Sequence, residues 1–248
     1  MTRILVLGRR SNSSKLLCNR LLNAGYDVSF IVERRKDHVT LIYRRVKRFG
    51  LAKVILQLVF QVFQRVLQYF SQSRILEILA DYNQPLNAIY TCENINAASA
   101  IGFIESLDVD LILLSGTRIL TSNFLSSVTI PVINIHAGIT PKYRGVHGGY
   151  WALVNGESNL FGSTIHRVDQ GIDTGAVIQY VYTLPTSRDN FSTNPLLQQR
   201  VASDAVISLL ASGTMLTSAK INARKESKLW SHPTILEYLV FAIKKRIF

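Results

Sequence analysis

ILVLGRRSNSSKLLCNRLLNAGYDVSFIV, residues 4–32, opens with a short apolar run from Ile4 to Gly8. It closes with an alternating run in which Val28, Phe30 and Val32 fall on one side. Between the two, GRRSNSS leads into an amphipathic stretch, Lys15 to Ala24, that stops at Gly25. A strand, a helix and a second strand in that order predict an α/β fold built on a parallel sheet.

The same alternation resumes further along. Ala88–Tyr90, Asp110–Leu114, Ile130–Ile135, Gly162–Val168 and Ala176–Tyr182 are expected strands. Helices are expected around Asn96–Leu107, Thr121–Ser127, Tyr150–Asn155 and Asn194–Gly213. This makes residues 1–190 one domain of mostly parallel, Rossmann-like α/β architecture with flanking helices, and 191–248 a helical, basic tail. One segment, residues 34–84, interrupts the domain between the second and third strands. Its heart is GLAKVILQLVFQVFQRVLQYF, residues 50–70, where Gln57, Gln61, Gln64 and Gln68 make a polar stripe at helical spacing. The remaining faces are Leu, Val, Ile and Phe, so the helix is expected to pack on the protein's own core or on a second subunit in a homodimer. Peripheral membrane contact through residues 44–70 and 235–248 is the alternative, since basic residues flank both apolar stretches. A membrane span is not expected, because Lys53 and Arg65 leave too short an apolar run.

Composition bounds the class. The chain has 248 residues, 48% of them hydrophobic and 18% charged, which is enough to bury a sizeable core and argues against wholesale disorder. Two cysteines, Cys18 and Cys92, cannot make a disulfide framework or a zinc site and read as reduced, apolar side chains. MTRILVLGRR has too short an apolar run for a signal peptide, so a cytoplasmic location is expected. The net charge of +12 is concentrated: Arg34–Arg74 carries ten Lys/Arg against Asp37, and Lys220–Phe248 carries seven against Glu226 and Glu237. Nucleic acid as a partner is therefore not expected, because such proteins place positive charge around the working site. The charge concerns where the protein sits.

The chemistry lies in the middle. Asn134 and His136 are two residues apart, hence on one side of an expected strand, at the end where a loop begins. In open parallel sheets ligands bind at that end. Asp173 follows in a second Gly-bounded connection, DQGIDTG, residues 169–175. An amide and an imidazolium can both donate to an oxygen that gains charge as a carbonyl becomes tetrahedral. A carboxylate beside them keeps the imidazole protonated and accepts a proton. Such a set suits acyl-type transfer to an amine, or hydrolysis. Taken singly, Asn134 can cap a turn, His136 can be a satisfied loop residue and Asp173 can close an Asx-turn. GRRSNSS follows a strand and can hold a phosphate on its backbone, but one glycine does not make a dinucleotide fingerprint. His166 reads as a strand residue pointing into or out of the core.

NIHAGITPKYRG, residues 134–145, with WALVNGE, FGSTIH and DQGIDTGAVI downstream, resembles the folate-dependent formyltransferases. The resemblance is clear over Leu111–Gln179 and weaker over Thr2–Glu33. It implies that Asn134, His136 and Asp173 are the catalytic set. It also implies a co-substrate, N10-formyltetrahydrofolate, held between Ser115, Gly116, Thr117, Arg118, Ile119 and Leu120 on one wall and Gln170, Gly171 and Ile172 on the other. No metal is implied. Arg9, Ser11, Asn12, Tyr143, Arg144 and His147 are the candidates for contacting a small-molecule amine acceptor. A tRNA acceptor is not expected, because the methionyl-tRNA enzymes that the chain resembles carry a further C-terminal domain of roughly a hundred residues, and about sixty-five follow Tyr182 here. The chain also lacks the glycine-rich phosphate loop of glycinamide ribonucleotide enzymes, and carries an insertion they do not have. A nucleotide-linked amino sugar is therefore the expected acceptor. The alternatives are a purine-pathway enzyme of the glycinamide ribonucleotide type and a non-catalytic docking protein with the same fold.

Overall fold

Runs of Ile, Leu and Val that are buried on both faces belong in the middle of a parallel sheet covered by helices. The computed structural model, which describes residues 2–34, 38–82, 84–217 and 226–247, has that arrangement. Strand β1 (Arg3–Gly8) leads to helix α1 (Asn12–Asn23) and β2 (Asp27–Glu33). Next come α2 (His38–Phe49), α3 (Leu51–Phe70) and α4 (Gln72–Leu79), then β3 (Tyr90–Cys92), α5 (Ala98–Glu105) and β4 (Leu111–Ser115). Helix α6 (Ser122–Ser127), β5 (Val132–His136), the two-residue β6 (Arg144–Gly145), α7 (Gly148–Val154), β7 (Gly162–Arg167) and β8 (Val177–Tyr182) follow. Helix α8 (Asn194–Ala211), the short β9 (Leu229–Trp230) and α9 (Ile235–Lys245) complete it.

The main sheet runs β3-β2-β1-β4-β5-β7-β8, parallel as far as β5 and antiparallel for the last two strands. Its order reverses between β1 and β4, where Gly8 stands opposite Ser115 at the carboxyl ends. That is the crevice where such sheets receive ligands. Alternation sorts the strand residues between two cores. Ile4, Val6, Phe30 and Leu113 pack on α1 and α8 through Leu17, Leu21 and Val206. Leu5, Leu7, Ile31 and Ile112 pack on α5 and α6 through Ile101, Ile104 and Phe124. Each such side chain contributes about 1.5–3 kcal/mol of burial. Ser11 caps α1 by accepting from the Ser14 N–H.

The third strand forms two residues later than expected, at Tyr90–Cys92, because there its backbone meets the carboxyl end of β2, Ile31 to Glu33. The largest departure concerns α3. Its polar stripe is partly inward: Gln61 and Gln64 are half-buried and Gln68 exposed, while Gln57 is fully buried, accepting from Arg45 at 2.7 Å and donating to the His232 carbonyl at 2.6 Å. Val54 and Phe60 are buried beside it, and Phe60 and Phe63 meet Tyr238 of α9 at 5.1 and 5.5 Å between ring centroids. The helix thus packs on its own chain by the polar-striped side and leaves most of its aliphatic side to solvent. Among the described residues no helix is long and apolar enough to cross a membrane. Arg35, Lys36, Lys220, Arg224, Lys225 and Phe248, counted above among the basic segments, lie outside the described residues.

Candidate active site

Strand β5 pairs with β4 on one side and antiparallel with β7 on the other, where Asn134 faces His166 and His136 faces Thr164. The antiparallel partner brings a second histidine to the carboxyl end of β5. Asn134 Nδ2 lies 3.1 Å from His166 Nε2 and 3.3 Å from Asp173 Oδ1. His166 Nδ1 is 2.8 Å from the Arg167 carbonyl, which can only accept, so that nitrogen carries the proton and Nε2 receives the Asn134 amide. Asp173 Oδ2 accepts from the Gly145 N–H at 2.8 Å and stands 3.4 Å from His136 Nδ1. His136 Nε2 donates to the Tyr143 carbonyl at 2.7 Å. Asn134, His136 and Asp173 therefore form one cluster, with His166 as a fourth member that strand alternation alone left facing either way.

Two backbone features hold the carboxylate in place. Asp173 itself has φ +52°, a left-handed conformation that Asp tolerates and most side chains avoid. Gly145 has φ +93° and is clamped by β9, where a Cβ would run into the Trp230 carbonyl. Only glycine fits there, and its N–H is thereby aimed at Asp173.

The electrostatics follow from burial. His136 is almost wholly buried, and desolvation lowers its pKa despite the opposing pull of Asp173. The carboxylate was expected to keep the ring protonated; instead burial wins and the resting imidazole is neutral. Burial pushes the Asp173 pKa upward too. The neighbouring His136 and the Gly145 N–H outweigh it and hold the carboxyl down at about 2, so Asp173 is ionised.

A cavity of about 450 Å³ opens over this cluster. Gly116, Thr117, Arg118, Ile119 and Leu120 form one wall, and Asp169, Gly171 and Ile172 the other. Ser115 lies behind, its hydroxyl accepting from Ser14 Oγ at 3.0 Å, and Gln170 is not among the lining residues. Asp169 shapes its loop by accepting from the Gly171 N–H at 3.0 Å and from Thr174 Oγ1 at 2.7 Å. Glu33, buried at the end of β2, accepts from the backbone N–H groups of Ile95 and Arg118 at 3.1 and 3.0 Å and pairs with the Arg118 guanidinium. That carboxylate fixes the first wall. Nothing in its sequence surroundings marked it, because its partners come from β3–α5 and β4–α6 connections far along the chain. Among the described residues no group of three His, Cys, Asp or Glu is disposed to hold a metal.

The acceptor candidates separate. Arg9 lines the large cavity, and its buried Nε has no hydrogen-bond partner. Ser11 is spent on capping α1, and Asn12 begins that helix. Tyr143 is fully buried, its hydroxyl donating to Glu157 at 2.5 Å. Arg144 Nη1 donates to the Ile172 carbonyl at 3.3 Å. His147 lines an adjoining cavity of about 250 Å³, with Nε2 2.9 Å from His232 Nδ1. Burial pushes His147 well below its ordinary value and His232 down to about 4. His232, unremarked in the sequence, is shared by both cavities.

The chain belongs to the formyl transferase family, whose pattern matches residues 2–210. It is 37% identical over 87 residues to a phosphoribosylglycinamide formyltransferase of Haemophilus influenzae, covering 34% of this chain and 41% of that one. It is 31% identical over 93 residues to a GDP-perosamine N-formyltransferase of Brucella melitensis, covering 37% and 36%. The fold is shared with a sugar N-formyltransferase from Shewanella sp. at a TM-score of 0.58 and 16% identity, over 92% of this chain and 76% of that one. It is also shared with an N-formyltransferase from Helicobacter canadensis in complex with folinic acid and dTDP-3-aminofucose, at a TM-score of 0.55 and 15% identity, over 93% and 71%. The match covers less than half the length of the first curated relatives, between 9% and 41%.

Proposed function

We propose that this protein transfers a formyl group from N10-formyltetrahydrofolate to the primary amine of a nucleotide-linked amino sugar. The observation that carries the transfer chemistry is the single cluster of Asn134, His136 and Asp173 at the floor of a cavity with two loop walls. The folate lies between Gly116–Leu120 and Gly171–Ile172. The neutral amine attacks the formyl carbon, and the carbonyl oxygen gains charge close to Asn134 and His136. His136 stands beside that oxygen, its ring held between the Tyr143 carbonyl and Asp173 3.4 Å away. The carboxylate, ionised and pinned by Gly145, receives the proton lost by the attacking nitrogen through water. His166 orients the Asn134 amide. As the carbon–N10 bond breaks, that proton passes through water to N10, which releases tetrahydrofolate and the N-formyl product.

Arg9 supports an anionic acceptor. Its guanidinium replaces the backbone cradle of a glycine-rich loop with a side-chain charge that lines the same cavity and has no ion-pair partner among the described residues. A diphosphate suits it. Glycinamide ribonucleotide, with one phosphate, is the second reading, favoured by the 37% identity to a phosphoribosylglycinamide formyltransferase. The test is formyl transfer from 10-formyltetrahydrofolate by the full chain to nucleotide-linked amino sugars and to glycinamide ribonucleotide. The first are expected to be preferred. Asp173→Asn should lower turnover by about 10²–10⁴ while the fold persists, since Asn also accepts a left-handed backbone. Near-normal turnover in that variant would remove Asp173 from the mechanism.

A further inference from the structure

We propose that α2, α3 and α9 form a face that docks on an anionic lipid bilayer, independently of which amine is formylated. Helix α3 packs by the side that carries Gln57, and among the described residues its opposite, aliphatic side lies open. On α3 that side is Ile55, Val59, Val62 and Val66, followed by Tyr69 and Phe70, at spacings of three and four that keep them on one stripe. Val62 is 60% exposed, and Tyr69 and Phe70 77% each. Helix α9, packed against α3, exposes Leu236, Leu239, Val240 and Ile243, the last at 79%. Helix α2, on which α3 also packs, exposes Val39, Ile42 and Tyr43. Apolar side chains exposed on three helices packed against one another mark an interaction site.

Charge chooses the occupant. Arg44, Lys47 and Arg48 on α2, Lys53 and Arg65 on α3, and Lys244 and Lys245 on α9 are all exposed. The one acid on these helices is Glu237, and it is consumed in the capping box with Thr234. A second copy of the chain would present the same positive charge to itself, whereas anionic headgroups complement it. No described helix can span, so the helices lie along the interface with aliphatic side chains in the acyl boundary and cations among the headgroups. Exposed Tyr and Phe suit that boundary. The inward bond from Gln57 to the His232 carbonyl ties the docking helix to a wall of the catalytic cavity.

The test is flotation of the full chain with vesicles of phosphatidylcholine alone or mixed with phosphatidylglycerol. Binding is expected to the anionic vesicles only and to weaken with salt. Lys47→Gln and Arg48→Gln should each reduce it about five-fold, the equivalent of one basic residue at a charged surface. The double variant Val62→Asp and Val66→Asp should abolish it with an unchanged circular dichroism spectrum and melting temperature. Absence of flotation with either vesicle, or undiminished flotation of the double variant, would overturn the proposal. So would a dimer in sedimentation that the double variant disperses without any vesicle binding, which would assign the face to a second copy.

Discussion

Helices α1 and α3 are both amphipathic, yet they sit in opposite senses. Helix α1 turns Leu17 and Leu21 to the sheet and Leu16 to α4 and α8, so its aliphatic side goes inward, the usual arrangement. Helix α3 turns Gln57 inward with Val54 and Phe60 and leaves Ile55, Val59, Val62 and Val66 outside. Burial follows what lies next to a face. Helix α1 lies over aliphatic strands. Helix α3 lies over a surface that offers it the His232 carbonyl and the Arg45 guanidinium, which only a polar side chain can use. Hydrophobic periodicity names the two faces of a helix; the neighbour decides which one goes in.

Substitutions on the two helices sharpen that contrast, and the largest difference should come from matched aliphatic truncations. Leu17→Ala, on the buried side of α1, is expected to cost about 2–5 kcal/mol in denaturant unfolding. Val62→Ala, on the outward side of α3, should stay within about 0.5 kcal/mol. If Val62→Ala costs as much as Leu17→Ala, the outward side is covered and the contrast fails. The next effect belongs to the inward polar side of α3. Gln57→Leu removes both partners of Arg45 and the His232 carbonyl, and should destabilise by about 1–3 kcal/mol although it makes the helix more apolar. A stabilised Gln57→Leu would mean that the glutamine side is inward by accident of packing.

A smaller effect separates the buried histidines near α3 from the aliphatic core under α1. His232 titrates at about 4 in the folded protein against an unfolded value of about 6.5, and burial holds His147 well below its ordinary value too. Between those values the unfolded chain binds more protons than the folded one, so the stabilisation is complete above about 6.5 and is lost as pH falls toward about 4. Near pH 5.5 the loss from His232 is on the order of 1 kcal/mol. Thermal melts should drop over that window, and His232→Gln should flatten the drop. An equal slope in wild type and variant would show that His232 is not the group responsible.

The α/β order of the sheet was legible because strand and helix periods are local properties, and Ile4–Gly8, Asp27–Glu33 and Leu111–Ser115 carry them plainly. Asn134 and His136 could be placed together for the same reason: two residues along a strand share a side. Asp173 was connected to them through the resemblance of its loop, and the cluster at 3.3 and 3.4 Å is a tertiary fact. His166, Glu33 and His232 were not legible. Each acquires its role from a partner on another strand or loop, and the chain carries no local mark of such pairing.

The sequence by itself determined the mostly parallel fold, the group of residues capable of managing attack on a carbonyl, and the separation of a near-neutral core from two basic, apolar segments. These depend on composition and short-range spacing. The tertiary structure alone decided that His136 rests neutral, that Glu33 braces one wall of the cavity, and that α3 shows its valines to solvent. Those outcomes depend on burial and on which polar groups meet across the fold, and both arise only once distant segments are brought into contact.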